Sequence, residues 1–383
     1  MHTARRTHGF TESVIREMTR VADECGAINL AQGFPDFPAP DVLKEAAVRA
    51  IRDDVNQYAV TWGAPRLRAA VAASYDRWYG IDVEPDREVT ITCGATEAMA
   101  AVLLALVDPG DEVIVLEPFY ENYGPDAVLC SARPVFVRVE PGDGLDLDRL
   151  AAAFSPATRA IVLNTPNNPT GHVLTREELE AIAALCHRHD AWAITDEIYE
   201  HILYDGVHVP MAGLPGMSDR TVTVSGASKT FSVTGWRVGT IVAPESASGA
   251  IRKVHDFLTV GAPAPLQEAV ATALETLGDD YYRALADSYR RRRDLMVEAL
   301  RTAGFRCIPP AGAYYILADF SDISDEADTL FARDLARNAG VASVPGSSFF
   351  ANPADGHTLV RFAFCKSESL LQQAGSRLIS ARI

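Results

Sequence analysis

The chain has 383 residues, enough for two globular lobes, since a single hydrophobic core stops growing beyond ~250–300 residues. Apolar residues make up 48% and charged residues 22%, a composition that is typical of a folded protein and excludes a largely disordered chain. The formal net charge of -16 at pH 7 argues against a broad nucleic-acid-binding surface, which would need a basic patch.

Up to about residue 244, short apolar runs rich in β-branched residues alternate with helical patterns. Strands buried on both faces are predicted at 88–93, 112–116, 135–139, 160–163, 192–195, 221–225 and 238–243. Helices are predicted at 97–106, 119–130 and 175–188, and the last begins at Thr175 with a capping-box pattern. Strands separated by helices predict an α/β domain with a mainly parallel sheet that is flanked by helices.

After about residue 244 the pattern changes to that of a smaller α+β domain. Helices are predicted at 265–277, 281–303, 328–339 and 368–380, and short strands at 313–317, 341–344 and 359–364. We expect the N-terminal segment to join this lobe. The predicted large domain covers 41–274, and the small domain combines 1–40 with 275–383.

The cysteines and the N-terminal segment bear on localisation. The six cysteines lie far apart without a Cys-x-x-Cys pair, so we expect reduced thiols in a cytoplasmic protein and no metal site. The segment 1–10 is polar and basic with no apolar stretch after it, unlike a secretory signal. The longest apolar run, 98–107, is shorter than the ~20 residues that a membrane-spanning helix needs, so we expect no membrane partner.

A lysine, Lys229, follows the predicted strand 221–225. Alone, it is either a solvated charge or a reactive amine. Strand ends in such sheets are where ligands bind, and Arg237 is a cation able to hold an anion through two hydrogen bonds. A partly desolvated lysine beside a bound phosphate is well placed to form a Schiff base with an aldehyde.

An acidic residue, Asp196, follows the strand predicted at 192–195. It would either cap a following helix or accept a hydrogen bond from a protonated pyridine ring, which can then act as an electron sink. Tyr199 would point to the same side one helical turn later, where its phenol could hydrogen-bond the ring's phenolic oxygen.

Two further turns follow predicted strands. The segment 164–171 has two prolines and a glycine, which form either a plain loop or a rigid support for the amide of Asn168. The segment 94–97 precedes an apolar helix, and the free amides of a helix N-terminus bind phosphate. Any strand-to-helix turn with a small residue looks similar, so this second pattern is not specific.

Together these segments resemble the class I/II aminotransferases of pyridoxal-phosphate fold type I. The segments are, in the family's order, GATEA (94–98), NTPNNPTG (164–171), TDEIYEH (195–201) and SGASKTFSVTGWRVG (225–239). The similarity extends to 29–37, 56–58, 117–120 and 359–366, and covers about residues 26–366. Within the class the sequence is most similar to the kynurenine, glutamine and methionine aminotransferase branch, with succinyl-diaminopimelate aminotransferases as near neighbours.

The resemblance implies pyridoxal 5′-phosphate as cofactor and a role for each motif residue. Lys229 would carry the cofactor as a Schiff base and then move a proton between the substrate and the cofactor. Asp196 would hold the pyridinium nitrogen, Asn168 and Tyr199 the ring hydroxyl, and Tyr120 would stack on the ring. The phosphate would be held by Ala95, Thr96, Ser228, Arg237 and, from a second subunit, Tyr58. Many members have serine three residues before the lysine, where this chain has Gly226.

For the substrate, the resemblance implies that Arg361 binds the α-carboxylate, with Asn168 and the backbone of Gly33 nearby. The side-chain pocket transfers less directly, since its candidate residues would equally fit a hydrophobic core; they are Phe10, Trp62 and Phe257. No second arginine stands out in the sequence for a distal carboxylate. This favours an aromatic, sulfur-containing or amide side chain.

The expected protein is therefore a cytoplasmic, homodimeric aminotransferase that transfers an amino group between an L-amino acid and a 2-oxo acid in two half-reactions. The same fold hosts β-eliminating C–S lyases and cyclopropane-forming synthases, so that group remains an alternative. A transcriptional regulator built on such a domain would need a DNA-binding domain ahead of it. No nucleic-acid partner is expected of this acidic chain.

Overall fold

The computed structural model describes residues 2–8, 10, 12–140, 142 and 144–381. The helices are α1 (Val14–Cys25), α2 (Asp41–Arg52), α3 (Pro65–Tyr79), α4 (Pro85–Glu88), α5 (Ala95–Leu106), α6 (Tyr123–Leu129), α7 (Leu147–Ala153), α8 (Arg176–His189), α9 (Ala227–Thr230), α10 (Glu245–Thr259), α11 (Ala264–Thr276), α12 (Asp279–Thr302), α13 (Asp328–Asp334) and α14 (Glu368–Ser380). The strands are β1 (Ile28–Asn29), β2 (Val89–Thr92), β3 (Glu112–Glu117), β4 (Arg133–Glu140), β5 (Gly144–Leu145), β6 (Thr158–Asn164), β7 (Trp192–Asp196), β8 (Thr221–Gly226), β9 (Gly239–Val242), β10 (Arg306–Cys307), β11 (Tyr315–Asp319), β12 (Val341–Ala342), β13 (Val344–Pro345) and β14 (Leu359–Ala363).

The large sheet has eight strands in the order β2-β9-β8-β7-β6-β3-β4-β5. Its five central strands, from β8 to β4, run parallel, while β9 is antiparallel to both neighbours and β5 is antiparallel to β4. Every predicted strand of the large domain is present, so the prediction of a mainly parallel α/β sheet is confirmed. The antiparallel β9 reverses direction after the turn that follows β8.

Helices cover both faces of this sheet because successive side chains of a strand point to opposite sides. In β3, Val113 and Val115 pack in one buried cluster with Met99 of α5. The intervening Ile114 packs in a second cluster with Ile182 of α8. A strand buried on both faces must be apolar at every position, which explains the unbroken apolar runs in the sequence.

The C-terminal part forms an antiparallel sheet in the order β10-β11-β14-β13 and the long helix α12. The N-terminal segment packs with it, since β1 pairs in parallel with β12. Met18 of α1 and Leu30 after β1 share a buried cluster with Ile316 of β11 and Phe362 of β14. This packing supports the expected union of the two chain ends, and the boundaries at 41–274 remain a prediction.

Two predicted elements differ from the structure. The helix predicted at 119–130 is α6 alone, because the backbone before it is bonded elsewhere: the Phe119 amide donates to the carbonyl oxygen of Phe349 at 3.0 Å. The strand predicted at 341–344 is two strands, because β12 pairs with β1 and β13 pairs with β14. No helix in the described part of the chain is long and apolar enough to cross a membrane.

Candidate active site

Strands β6, β7 and β8 end at one edge of the large sheet, beside the first turn of α5, and a cavity of about 510 Å³ lies there. Most of the residues predicted for the site line this cavity: Gly33, Ala95, Thr96, Tyr120, Asn168, Asp196, Tyr199, Ser228, Lys229 and Arg237. Two predicted residues lie elsewhere. Tyr58 is 87% exposed on the surface, whereas Arg361 is fully buried behind the cavity wall.

Lys229 lies in the short helix α9, directly after β8, with its amine enclosed by aromatic rings. Its Nζ donates to the carbonyl oxygen of Gly33 at 3.4 Å and faces the rings of Tyr199 and Tyr314 at 5.8 and 5.6 Å. Burial, which disfavours the charged ammonium, lowers the pKa of Lys229 to about 8, although the charge of Asp196 acts in the opposite direction. The neutral, nucleophilic amine is therefore populated at mildly alkaline pH.

Asp196 ends β7 and turns its buried carboxylate toward the cavity. Its Oδ2 accepts a hydrogen bond from the Tyr123 hydroxyl at 2.8 Å, and its Oδ1 accepts one from the Ile198 amide at 3.2 Å. Burial raises the pKa of Asp196 while these hydrogen bonds act to lower it. No helix follows directly among the described residues 197–204, where the chain forms turns, so Asp196 does not cap one.

Arg361 lies in β14 and is fully buried. It forms no ion pair with any carboxylate of the described residues. Its Nη1 donates to Asn168 Oδ1 at 2.9 Å and its Nη2 donates to the Ala31 carbonyl oxygen at 2.6 Å. The guanidinium faces the ring of Tyr315 at 4.3 Å, and its Nε is buried without a hydrogen-bond partner. A buried charge without a counter-ion is unfavourable, so this side chain is suited to receive an anionic ligand.

Asn168 is held by a second asparagine that ends β6. Asn164 Oδ1 accepts from the Asn168 amide at 2.7 Å, and Asn164 Nδ2 donates to the Asp196 carbonyl oxygen at 2.9 Å. The ends of β6 and β7 are thereby tied together. The loop that carries Asn168 is thus fixed by specific hydrogen bonds as well as by its prolines.

Several tyrosines line the cavity or lie beside it. The hydroxyls of Tyr199 and Tyr315 lie 3.1 Å apart, and the Tyr314 hydroxyl donates to the Gly33 carbonyl oxygen at 2.9 Å. Tyr120 lines the cavity and packs edge-on against Tyr123 with ring centroids 5.7 Å apart. These rings limit water around the Lys229 amine.

At one end of the cavity, the N-terminus of α5 and Arg237 form a place that is suited to an anion. Ala95 and Thr96 are the first residues of α5, so their amides have no acceptor within the helix. Arg237 Nη2 donates to Thr96 Oγ1 at 3.4 Å, which places a guanidinium beside that helix end. Gly94 has φ of 84°, and a Cβ added there would lie 2.3 Å from Arg237 Nη2. Glycine is therefore required for this approach.

Comparison with known proteins identifies the family. The family model described as "Aminotransferase class I and II" matches residues 26–378. The chain belongs to this family. The probable N-succinyldiaminopimelate aminotransferase DapC of Mycobacterium tuberculosis is 41% identical and covers 98% of both chains. Human kynurenine–oxoglutarate transaminase 1 is 37% identical over 98% of this chain and 97% of its own. Escherichia coli methionine aminotransferase is 38% identical over 96% of this chain and 95% of its own.

Solved structures agree with the sequence comparison. The N-succinyldiaminopimelate aminotransferase of Mycobacterium tuberculosis superposes with a TM-score of 0.95 over 99% of both chains at 41% identity. The aspartate aminotransferase of Thermus thermophilus with maleate superposes with a TM-score of 0.92 over 99% of both chains at 36% identity. The predicted family, fold and likeness to the kynurenine and methionine branch are confirmed, and the chain is a pyridoxal-phosphate-dependent aminotransferase.

The residues of this aminotransferase fit the cofactor that its family uses. The phosphate needs an anion site, which the N-terminus of α5 and Arg237 offer, and the aldehyde needs an amine of lowered pKa, which Lys229 offers. A pyridine nitrogen needs an acidic partner, and Asp196 stands on the same cavity wall. Each chemical group of pyridoxal phosphate therefore has a complementary residue in the cavity.

The glycine that departs from the family's serine has a structural reason. A Cβ at Gly226 would lie 2.7 Å from the Val238 carbonyl oxygen and 2.9 Å from the Cα of Gly239, so β8 and β9 leave no room for a side chain. The hydroxyl of Ser225 donates to Glu200 Oε1 at 2.8 Å, away from the cavity, whereas Ser228 lines the cavity. Of the two neighbouring serines, only Ser228 faces the site.

Sequence reasoning missed several residues that build the site. Tyr123 lies three residues after Tyr120, and the two rings pack against each other. Residues three apart in a helix share one side, so the predicted helix could have indicated Tyr123 as a second aromatic ring at the site. Tyr314 and Tyr315 stand in a predicted strand, where their roles depend on contacts across the molecule. The candidates Phe10, Trp62 and Phe257 do not line the cavity formed by the described residues of one chain.

Proposed function

We propose that this aminotransferase transfers the amino group of an L-amino acid with an aromatic, sulfur-containing or amide side chain to a 2-oxo acid, in the cavity around Lys229. The observation that carries the proposal is the pairing of an enclosed lysine of lowered pKa with a buried arginine that lacks a counter-ion. The first is suited to proton transfer at carbon, and the second to a carboxylate.

Pyridoxal phosphate, when bound, supplies an electron sink for the carbanion that forms at the substrate α-carbon. In our proposal Ala95, Thr96, Ser228 and Arg237 hold its phosphate. Asp196 keeps its pyridine nitrogen protonated, with Tyr123 holding that carboxylate in place. Tyr120 packs on the ring, and Asn168 and Tyr199 hydrogen-bond the ring oxygen. Because these donors and acceptors are already fixed around the ring, the site needs little reorganisation during the reaction.

Lys229 is the proposed catalytic residue. Its Nζ lies 3.4 Å from the Gly33 carbonyl oxygen and is enclosed by Tyr199 and Tyr314, so the amine has few positions to occupy once it is free. A pKa of about 8 lets it accept and return a proton near neutral pH. We propose that it moves the proton between the α-carbon and the cofactor.

Arg361 is the proposed anchor of the α-carboxylate. A carboxylate can form two parallel hydrogen bonds with its guanidinium, which orients the substrate as well as binding it. Asn168 already bonds Arg361 and also lines the cavity, so it joins the carboxylate site to the ring-binding residues. Gly33 contributes its backbone at the same wall.

We further propose that the protein acts as a cytoplasmic homodimer in which Tyr58 reaches the partner's phosphate site. Tyr58 is 87% exposed and Phe257 92% exposed, and exposed apolar residues that form a contiguous patch mark interaction sites. Their segments are in contact, because His255 Nε2 lies 2.9 Å from the Thr61 carbonyl oxygen. Leu258 and Val260 add exposed apolar surface at the end of α10.

The deciding experiment is an absorption spectrum of the purified enzyme before and after adding single amino acids from a broad panel. We expect the visible band of the bound cofactor to move to the shorter wavelength of the pyridoxamine form while a 2-oxo acid is released. A band that persists while pyruvate and ammonia or a thiol accumulate would instead identify a β-lyase.

The position of cofactor attachment is tested separately. After borohydride reduction, a peptide map of the wild-type protein is expected to carry the pyridoxyl group on Lys229. Lys229→Ala is expected to lose both the adduct and turnover, while Lys253→Ala, at an exposed lysine on α10, keeps both. An adduct at another lysine in the wild-type protein would overturn the assignment.

A further inference from the structure

The cavity has a cation that none of the proposed roles uses. Three cationic side chains line it among the described residues, namely Arg16, Lys229 and Arg237. Lys229 and Arg237 serve the chemistry and the phosphate in the proposed function. Arg16 lines the cavity as well, as do Ser13, Gln32 and Glu121. An arginine among polar rim residues is suited to recognise an anionic group on the substrate.

Arg16 is held at the rim by the start of α1. It lies in the first turn of that helix, whose N-cap is Ser13, and the Ser13 side chain accepts a hydrogen bond from the Arg16 amide at 3.4 Å. The Ser13 hydroxyl also donates to Glu121 on the cavity wall. One turn later, Thr19 Oγ1 donates to Gln32 Oε1 at 3.2 Å. These bonds fix α1 against the cavity from two sides.

The guanidinium of Arg16 has no hydrogen bond or ion pair with any described residue. One turn on, Arg20 is by contrast paired with Glu12 through bonds of 2.8 and 3.1 Å. The carboxylate of Glu121, which also lines the cavity, is engaged by Ser13. Binding an anion at Arg16 therefore breaks no existing contact of its guanidinium.

We infer that Arg16 binds a second carboxylate, carried at the far end of a substrate whose α-carboxylate is bound by Arg361. Arg361 is fully buried behind the cavity, whereas Arg16 is exposed at its rim, so a substrate side chain that extends outward from the reacting carbon leads toward Arg16. This inference rests on the proposed function. It assigns dicarboxylic 2-oxo acids, and the corresponding amino acids, to one of the two half-reactions.

This assignment is compatible with an apolar or amide amino donor in the other half-reaction. The two substrates use the same cavity in turn, and the α-carboxylate site is the only site that both of them require. When the distal group is neutral, the exposed guanidinium of Arg16 stays in water at little energetic cost. In this inference the second arginine, which the sequence did not single out, comes from α1, outside the sequence motifs of the family.

The test compares two acceptors that differ only in the distal group, 2-oxoglutarate and 2-oxopentanoate, in which a methyl group replaces the distal carboxylate. Arg16→Met keeps an unbranched stem of similar length to the arginine methylenes and removes the charged guanidinium. We expect its kcat/KM for 2-oxoglutarate to fall by about 10-fold, mainly through KM, as the loss of one exposed charge-assisted hydrogen bond implies. Its kcat/KM for 2-oxopentanoate should change by less than about two-fold.

The matched control is Arg20→Met, at an exposed arginine of the same helix that does not line the cavity. It should leave both acceptors unaffected, and Arg16→Lys should recover part of the preference for 2-oxoglutarate. A second readout is competitive inhibition by glutarate and by pentanoate. Arg16→Met should weaken inhibition by glutarate selectively, and increased salt should weaken it in the wild-type protein.

Each other outcome has a defined meaning. Equal losses for both acceptors in Arg16→Met would mean that Arg16 only supports α1, and no loss would mean that it does not contact substrate; both overturn the inference. A wild-type enzyme that transaminates 2-oxopentanoate but not 2-oxoglutarate also overturns the inference while leaving the proposed function intact. A wild-type enzyme that transaminates no amino acid with any acceptor contradicts the proposed function itself.

Discussion

Lys229 and Arg361 are both enclosed cations, but burial acts on them in different ways. A lysine can lose its proton, so the loss of hydration lowers the pKa of Lys229 to about 8 and yields a reactive amine. An arginine remains charged in proteins, so burial leaves Arg361 a cation that is suited to bind an anionic ligand. In the proposed function, one enclosed site thus provides both a base and an anchor.

The lowered pKa of Lys229 predicts how the apoenzyme recovers its cofactor. Only the neutral amine attacks an aldehyde, so the rate of covalent attachment should rise with pH and level off above about 8. Stopped-flow absorbance of apoenzyme mixed with pyridoxal phosphate across pH 6 to 10, at constant ionic strength, measures this profile. A rate that continues to rise toward the ordinary lysine pKa of 10.5 would contradict the effect of burial.

Replacing Arg361 should separate substrate binding from cofactor binding. Arg361→Met removes the charge and leaves Asn168 Oδ1 and the Ala31 carbonyl oxygen without their donor. We expect kcat/KM for amino acids to fall by about 10²- to 10⁴-fold, the range for breaking a buried charge pair. The affinity for pyridoxal phosphate, measured by spectral titration, should stay within a few-fold. An unchanged KM would mean that another cation holds the α-carboxylate.

At the scale of elements, the site depends on where strands end and helices begin. β6, β7 and β8 place Asn164, Asp196 and Ser228 at one sheet edge, and α5 brings its N-terminus there because β9 carries glycine at its contact with that turn. A Cβ at Gly239 would lie 2.7 Å from the Ala95 amide nitrogen. The anion site is thus a product of close packing between a strand and a helix terminus.

Gly94→Ala tests that packing. The backbone there has φ of 84° and ψ of 164°, a region almost restricted to glycine, and the new methyl group would meet the Arg237 guanidinium. We expect a loss of about 1–3 kcal/mol in the free energy of unfolding, together with weaker binding of pyridoxal phosphate. Chemical denaturation and cofactor titration measure the two effects.

Gly249→Ala, within α10, is the matched control, since a Cβ there meets no atom within 4 Å. It should leave cofactor binding unchanged and slightly raise the stability, because alanine favours helix more than glycine does. Equal behaviour of the two variants would show that the turn at Gly94 tolerates a side chain and that the close approach of Arg237 is not required.

The sequence predicted the strands well because each is buried on both faces and must be continuously apolar. It predicted the residues at strand ends for the same reason, since polar side chains directly after such runs mark a sheet edge. It did not predict where α6 begins, which depends on a bond from Phe119 to Phe349, or the cavity position of Arg16. Those features depend on which distant segments meet, and local patterns carry no information on that.

At the scale of the whole molecule, the apolar surface around Phe257 predicts assembly. Phe257→Asp should place a charge in the proposed dimer interface, shift the mass measured by light scattering to that of a monomer, and reduce activity by removing Tyr58 from the partner's site. Val207→Asp changes an apolar residue that is 79% exposed and lies in a loop outside α10, and it should leave the mass unchanged. A wild-type protein that is monomeric at assay concentration would contradict the proposed dimer.

The hydrogen bond from Arg361 to the Ala31 carbonyl oxygen joins residues 330 positions apart in the chain. During synthesis the segment that contains Ala31 appears early, whereas β14 is among the last elements to leave the ribosome. Every residue that is proposed to hold the cofactor is therefore synthesised before the proposed carboxylate anchor. Catalytic competence should therefore appear only after β14 has been synthesised and has paired with β11 and β13.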